Sequence, residues 1–258
     1  MPAKNAEPPL EKINDSVQQI VRTASASAPF RRYRTVLFQA ALIVITGAFA
    51  ALSFFVITTP SSAIDLQITR AIQQINSPVL AVLMDMVSWP GFSPQSLIIT
   101  ALLILAIYFL GLKWESLMAL FAVVLSTGIN VLVKDLIHRP RPASSLVKVS
   151  AVLSSYSFPS GHVMFYVTFF GFIIFLVFSL LKPSLTRSFL LTLFGILILF
   201  IGASRVYLGE HWASDVLGAY LLAILILVAV IQIYRWGKER FVRHPSKTNA
   251  VPGYGKNK

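Results

Sequence analysis

The chain has 258 residues, a net charge of +12 and no cysteine; 56% of its residues are hydrophobic and only 12% charged. Soluble domains carry roughly 25% charged residues, so this balance, with a mean hydropathy of +0.74, excludes one and points to a membrane protein. Disulfides and thiolate chemistry are excluded outright, and a nucleic-acid role is disfavoured because the positive charge sits at the two ends and in short connections beside apolar runs.

The polar tail 1–35 carries Leu10, Ile13, Val17, Ile20 and Val21 at helical spacing among charges. Six uncharged apolar stretches follow: Val36–Thr58, Pro94–Leu112, Ser116–Val133, Val163–Leu181, Ser188–Ser204 and Val216–Tyr234. A bilayer core needs about 20 apolar residues per helix, with about 17 as the lower limit, so Ser188–Ser204 is marginal. The first stretch is too long, and begins too late, for a cleaved signal peptide. Between the first two, Ile64, Ile68, Ile72 and Ile75 repeat at helical spacing. This segment and the N-terminal tail each read as a helix lying on the membrane surface or packed on the bundle. After Tyr234 the chain turns basic, ends in Pro, Gly, Lys and Asn, and is expected to be disordered. Internal repeats, a P-loop and a G-x-G-x-x-G fingerprint are all missing from the sequence.

The expected fold is therefore all-α, an integral membrane bundle of six transmembrane helices over residues 36–234, with tails 1–35 and 235–258. An even number of spans puts both termini on one side. The termini plus the second and fourth connections collect 16 of the 22 Lys and Arg; the other six are Arg70, Lys134, Arg139, Arg141, Lys148 and Arg205. The positive-inside rule then makes both termini cytoplasmic and leaves those six outside, in a multi-pass cell-membrane protein.

Most of the six exceptions belong to segments with unusual polar content. In "KDLIHRPRPASS", Lys134 ends the third span and Arg141 follows seven residues later. Two helical turns would stack these cations, while Pro140 and Pro142 stiffen the later part, as suits an anion site. Snorkelling cations at a helix end read equally well. In "YSFPSGH", Pro159, Ser160 and Gly161 stand just before the fourth span. Ser160 suits an N-cap, Gly161 allows close backbone approach, and the helix N-terminus favours an anion beside His162. In "SRVYLGEHWASD", Arg205 follows the fifth span and His211 precedes Asp215 by four residues, one face of a helix that starts near His211. Asp215 would fix the imidazole tautomer and free the other nitrogen as base or nucleophile; alternatively the pair only ties two helices together. A metal set of His162, His211, Asp215 and His138 is the rival, but Lys134, Arg141 and Arg205 would repel a divalent cation. No metal and no other cofactor is expected.

Together these segments resemble the signature of the type 2 phosphatidic acid phosphatase superfamily: K-x6-R-P, then P-S-G-H, then S-R-x5-H-x3-D. Every position matches, from Lys134 to Arg141-Pro142, through Pro159-Ser160-Gly161-His162, to Ser204-Arg205, His211 and Asp215. The resemblance covers about Val36 to Tyr234 and leaves both tails unexplained. It implies a membrane phosphatase hydrolysing lipid phosphates or polyprenyl diphosphates, undecaprenyl diphosphate among them, at an extracytoplasmic site. It further implies that His211 forms a phosphohistidine, oriented by Asp215, and that His162 protonates the leaving oxygen. Lys134, Arg141, Arg205, Ser160 and Gly161 would hold the phosphate oxygens. Arg139 and His138 lie outside this assignment. The same superfamily contains vanadate-dependent haloperoxidases, which are soluble as a class; a lipid-phosphate transporter is the non-enzymatic alternative, and the inverted repeats it would favour are missing.

Overall fold

The computed structural model describes residues 28–243, and every regular element among them is helical. The expected amphipathic N-terminal helix and the disordered C-terminal tail lie outside the described residues. In chain order the elements are α1 (Ala28–Thr58), α2 (Ala63–Gln73), α3 (Pro78–Ser88), α4 (Gln95–Phe109), α5 (Lys113–Ile137), α6 (Gly161–Leu180), α7 (Leu185–Tyr207) and α8 (Ala213–Gly237). The chain divides into two units within α1, after Gly47, and the core and the polar site belong to the second, Ala48 onward.

Among the described residues five helices are long and apolar enough to cross a membrane, and a sixth crossing exists if α3 and α4 form one bent span. This corrects the simple second span expected over Pro94–Leu112. At 15 residues, α4 is shorter than the ~17 needed to cross alone, and it meets α3 at 60°. The bend sits in Trp89-Pro90-Gly91-Phe92-Ser93-Pro94, where two prolines each remove a backbone donor and crowd the preceding turn. The marginal Ser188–Ser204 stretch is a full 23-residue helix, extended at both ends by polar residues.

The core lies where α5, α6, α7 and α8 meet, around Phe169, Phe170, Phe172, Ile201, Ala219, Ala223 and Val230. Lipid tails are as apolar as these side chains, so close packing has to supply the attraction between helices. Ala219 and Ala223, one turn apart and fully buried, let α8 approach its neighbours. Midway along α6, Tyr166–Phe170 widen into a π-helical turn, with Tyr166, Phe169 and Phe170 buried. Such insertions are common near functional sites, and this one begins one turn from His162.

The segment with repeated isoleucines is α2, and it packs on the bundle through one of its sides. Ile64 and Ile68 are exposed on one side, as is Ile75 just beyond the helix. On the other side Asp65 and Thr69 are buried, and Gln73 binds the backbone of the long connection and of α7. Its Nε2 donates to the Lys148 carbonyl (2.7 Å) and the Tyr207 carbonyl (2.9 Å), and its Oε1 accepts from the Lys148 N–H (3.0 Å).

Candidate active site

Three places in the fold supply the polar residues: the end of α5 with the connection 138–160, the start of α6, and the α7–α8 junction. Helix α5 stops at Ile137 because His138 takes a left-handed backbone, with φ of 54°. Lys134 and Arg141 are therefore not stacked on one helix, as a continuing helix would require. They are brought together by a shared acceptor, the Tyr156 carbonyl, which receives Lys134 Nζ and, at 3.4 Å, Arg141 Nη2. His138 itself turns its ring onto Tyr156, with centroids 4.5 Å apart.

Arg141 is held as a fork. Its Nε donates to the Ser155 carbonyl (2.7 Å), its Nη2 to Ser155 Oγ (3.0 Å) and its Nη1 to the Glu210 carbonyl (2.7 Å). Nη1 also lies 3.2 Å from His211 Nε2. A guanidinium only donates, so the contact is a hydrogen bond when Nε2 carries the lone pair and the ring proton sits on Nδ1. Nδ1 in turn faces Asp215 Oδ2 at 3.5 Å and Ser157 Oγ at 3.4 Å. The first distance is at the outer limit of hydrogen bonding. Burial, reinforced by the cations of Arg141, Arg205 and Lys134, holds His211 well below the ordinary imidazole range. Its ring is thus neutral at pH 7, and its lone pair is the one that faces Arg141.

The sequence spacing places His211 and Asp215 on one helical face, but α8 begins only at Ala213, with Trp212 as its N-cap. The pair forms nonetheless, because Asp215 reaches back. Its Oδ2 accepts from the Trp212 N–H at 2.8 Å, so one carboxylate caps the helix and faces the imidazole. Ser157 Oγ donates to the same oxygen.

Ser160 has the extended backbone of an N-cap, yet its hydroxyl caps nothing in α6. Its Oγ is buried without a hydrogen-bond partner, and so is Nε2 of His162. Buried polar atoms are rarely left unmatched, and these two at one helix start are candidate contacts for a polar ligand. Phe92 joins this start to Arg205: its ring meets the His162 ring edge-on at 4.6 Å and the Arg205 guanidinium at 5.0 Å. Arg205 is fully buried, donates to Ser88 Oγ at 2.5 Å, and pairs with Glu210. Beside Gly161 a cavity of about 260 Å³ opens between α4, α5 and α6, lined by Ser96, Thr100, Ser126, Thr127 and Asn130 among others.

Every residue singled out from the sequence thus lies in one linked region, from Lys134 and Arg141 through His211 and Asp215 to Ser160, whose N–H donates to the Asp215 carbonyl at 3.3 Å. Sequence reasoning missed Ser157, Glu210, Ser88 and Asp65, and left Arg139 without a role. Among the described residues no three His, Cys, Asp or Glu side chains gather as a metal site.

A family model described as the PAP2 superfamily matches residues 115–239. The chain is 30% identical over 184 residues to phosphatidylglycerophosphatase B of Bacillus subtilis strain 168, covering 70% of this chain and 89% of that one. It is also similar to the crystal structure of a transmembrane PAP2 type phosphatidylglycerolphosphate phosphatase from Bacillus subtilis. That match has a TM-score of 0.65 and 26% identity, over 80% of this chain and 98% of the other. Aquifex aeolicus LpxE shares the fold, with a TM-score of 0.54 and 23% identity over 67% and 97% of the two chains.

Proposed function

The chain belongs to the PAP2 superfamily, and from that premise we propose how its buried cations and histidines work on a phosphate. It is a multi-pass membrane protein and a hydrolase of lipid phosphate head groups. The proposed catalytic domain spans 36–234, between tails 1–35 and 235–258.

His211 Nε2 attacks phosphorus in line with the leaving oxygen. The P–O bond breaks, its electrons stay on oxygen, and His162 supplies the proton that makes the lipid alcohol. Water then attacks the phosphohistidine, gives its proton back to His162, and releases inorganic phosphate with His211 restored. Lys134, Arg141 and Arg205, with Ser160 and the Gly161 N–H, balance the charge on the transferring oxygens. The observation that carries this reading is the contact between Arg141 and His211 Nε2, which sets an attacking lone pair beside an anion-binding guanidinium. The unpartnered Ser160 Oγ and His162 Nε2 supply further polar contacts for the phosphate group. The haloperoxidase alternative uses the same pocket, and the membrane spans disfavour it. The Bacillus subtilis relative is named for phosphatidylglycerophosphate, so that lipid heads the panel to test, with phosphatidate and undecaprenyl diphosphate beside it.

Purified protein is expected to release phosphate from members of this panel without added metal, and orthovanadate to inhibit it. The cations supply the charge that Mg²⁺ supplies elsewhere, and vanadate mimics the five-coordinate transition state. Activity lost on exhaustive EDTA treatment and restored by a divalent ion would instead show metal catalysis.

Both termini are proposed to be cytoplasmic, with Ser160, Arg141 and His211 opening outward, on the strength of the 16-to-6 partition of Lys and Arg. The chain has no native cysteine, so single cysteines can be probed in intact cells with an impermeant thiol reagent. A cysteine at Ser145 should label and one at Ala3 should not; the reverse result inverts the topology.

A further inference from the structure

Arg139 and Arg205 are the largest fully buried side chains of the described residues, and Arg139 has no part in the catalytic sequence proposed for the others. Its contacts explain why it is there. Nη1 donates to Asp215 Oδ1 at 2.6 Å and to Ser214 Oγ at 2.7 Å. Nη2 donates to Asp65 Oδ2 at 2.7 Å, and Nε to the Pro60 carbonyl at 3.1 Å. Asp65 in turn accepts the Ser214 N–H at 2.9 Å and the Ser214 hydroxyl at 2.6 Å. One guanidinium is thus clamped between two carboxylates, all three side chains being almost wholly removed from solvent.

The clamp is directional. Arg139 takes Oδ1 of Asp215, which leaves Oδ2 to the Trp212 N–H, the Ser157 hydroxyl and His211 Nδ1. Without Arg139 the carboxylate would keep its contacts on Oδ2 alone, and nothing would hold Oδ1 to fix the plane of the carboxylate against the imidazole. Without Asp65, Arg139 would lose the anchor that opposes Asp215, and α2 would lose its tie to the first turn of α8. Asp65 is 74 residues from Arg139 and 149 from Ser214, and the signature contains neither Asp65 nor Arg139.

We propose that Asp65 and Arg139 are positioning residues, acting through Asp215 to hold the imidazole of His211 in its attacking orientation. The inference rests on the phosphohistidine reading above. It adds that the surface helix α2, which lies outside the signature, supplies part of the reaction's geometry. A positioning pair should act on turnover rather than on phosphate binding, because Lys134, Arg141 and Arg205 make no contact with it in the structure.

The test is a set of double-variant cycles on detergent-purified protein with short-chain phosphatidate, read as kcat and KM separately. Asp65→Asn is expected to lower kcat by ~10–100-fold, the size typical for a partner one step behind the reacting group, with KM within about threefold. In an Asp215→Asn background the same change should cost less than about threefold more, because both act on one carboxylate; with Lys134→Met the losses should multiply. Arg139→Lys, whose single nitrogen lacks the fork that reaches Asp65, Asp215, Ser214 and Pro60 together, should reproduce the kcat loss. Independent losses for Asp65→Asn and Asp215→Asn, or a rise in KM at unchanged kcat, would overturn the proposal. If Asp65→Asn does not purify as folded protein, Asp65→Glu, with its displaced charge, is put through the same cycle and judged by the same criteria. Full activity of His211→Ala would overturn the phosphohistidine reading itself, whatever Asp65 does, so the two failures are distinguishable.

Discussion

His211→Ala should abolish hydrolysis of every substrate, whereas the loss in His162→Ala should depend on what leaves. The proposed nucleophile is needed whatever the leaving group, since no phosphohistidine forms without it. The proposed acid matters only as far as the leaving oxygen needs a proton. A lipid alkoxide needs one badly, so on an alkyl phosphate His162→Ala should lose at least the ~10²–10⁴-fold typical of general acid catalysis. A nitrophenolate leaves with little help, and on nitrophenyl phosphate the same variant should keep far more of its activity. Asp215→Asn should fall between the two histidine variants, because the ring remains while its tautomer and developing charge lose support. The measurement is kcat/KM for the three variants on both substrates. Equal losses for His162→Ala on the two would make it a phosphate-binding group and not the proton donor.

The largest expected effect on stability comes from Gly209, two residues before His211. Its φ is +68°, in the left-handed region, and a Cβ there would run into the carbonyl oxygen of Lys148. The obstacle is backbone and cannot swing aside, and Gln73 Nε2 waits 3.2 Å from the same point. The methyl of Gly209→Ala would therefore push the connection 138–160 and α2 away from the α7–α8 junction. Left-handed strain of about 1–2 kcal/mol and overpacking of about 1–3 kcal/mol add to a loss of roughly 2–5 kcal/mol. Gly111 is the control, because its φ of +82° is equally left-handed but nothing lies within 4 Å of its Cβ position. Gly111→Ala should lose only the strain of about 1–2 kcal/mol. Thermal denaturation in detergent compares the two directly, and equal drops in Tm would show that the Lys148 contact does not matter.

The residues that carry the family signature were legible because short-range spacing encodes them. His211 and Asp215 sit four apart, and Ser160, Gly161 and His162 are consecutive. Asp65 was not legible: in a line of sequence it is an ordinary charge in an amphipathic helix, and its partners Arg139 and Ser214 lie 74 and 149 residues further along the chain. Glu210 and Ser157 adjoin recognised residues, but adjacency does not reveal that one pairs with Arg205 and the other with Asp215. Five of the six spans were readable from hydropathy. The bend at Trp89–Pro94 was not, because an apolar stretch scores alike whether or not proline breaks it. Helix α7 reads short for the opposite reason. Its last turn carries Arg205, which stays helical because Glu210 and Ser88 receive its charge.

The order in which the chain meets the bilayer follows from where the polar residues lie along it. Lys134, Arg141 and Ser160 precede the antepenultimate helix, whereas His211 and Asp215 stand at the mouth of the last one. A nascent chain emerging from the ribosome thus acquires most of the proposed anion-holding groups before the proposed nucleophile. Asp215 gains the cap it makes with Trp212 only once α8 has wound, and only then does His211 have a carboxylate to face. On the proposed mechanism, hydrolysis therefore waits for α8 to seat, and the onset of turnover would report that the last described helix is in place.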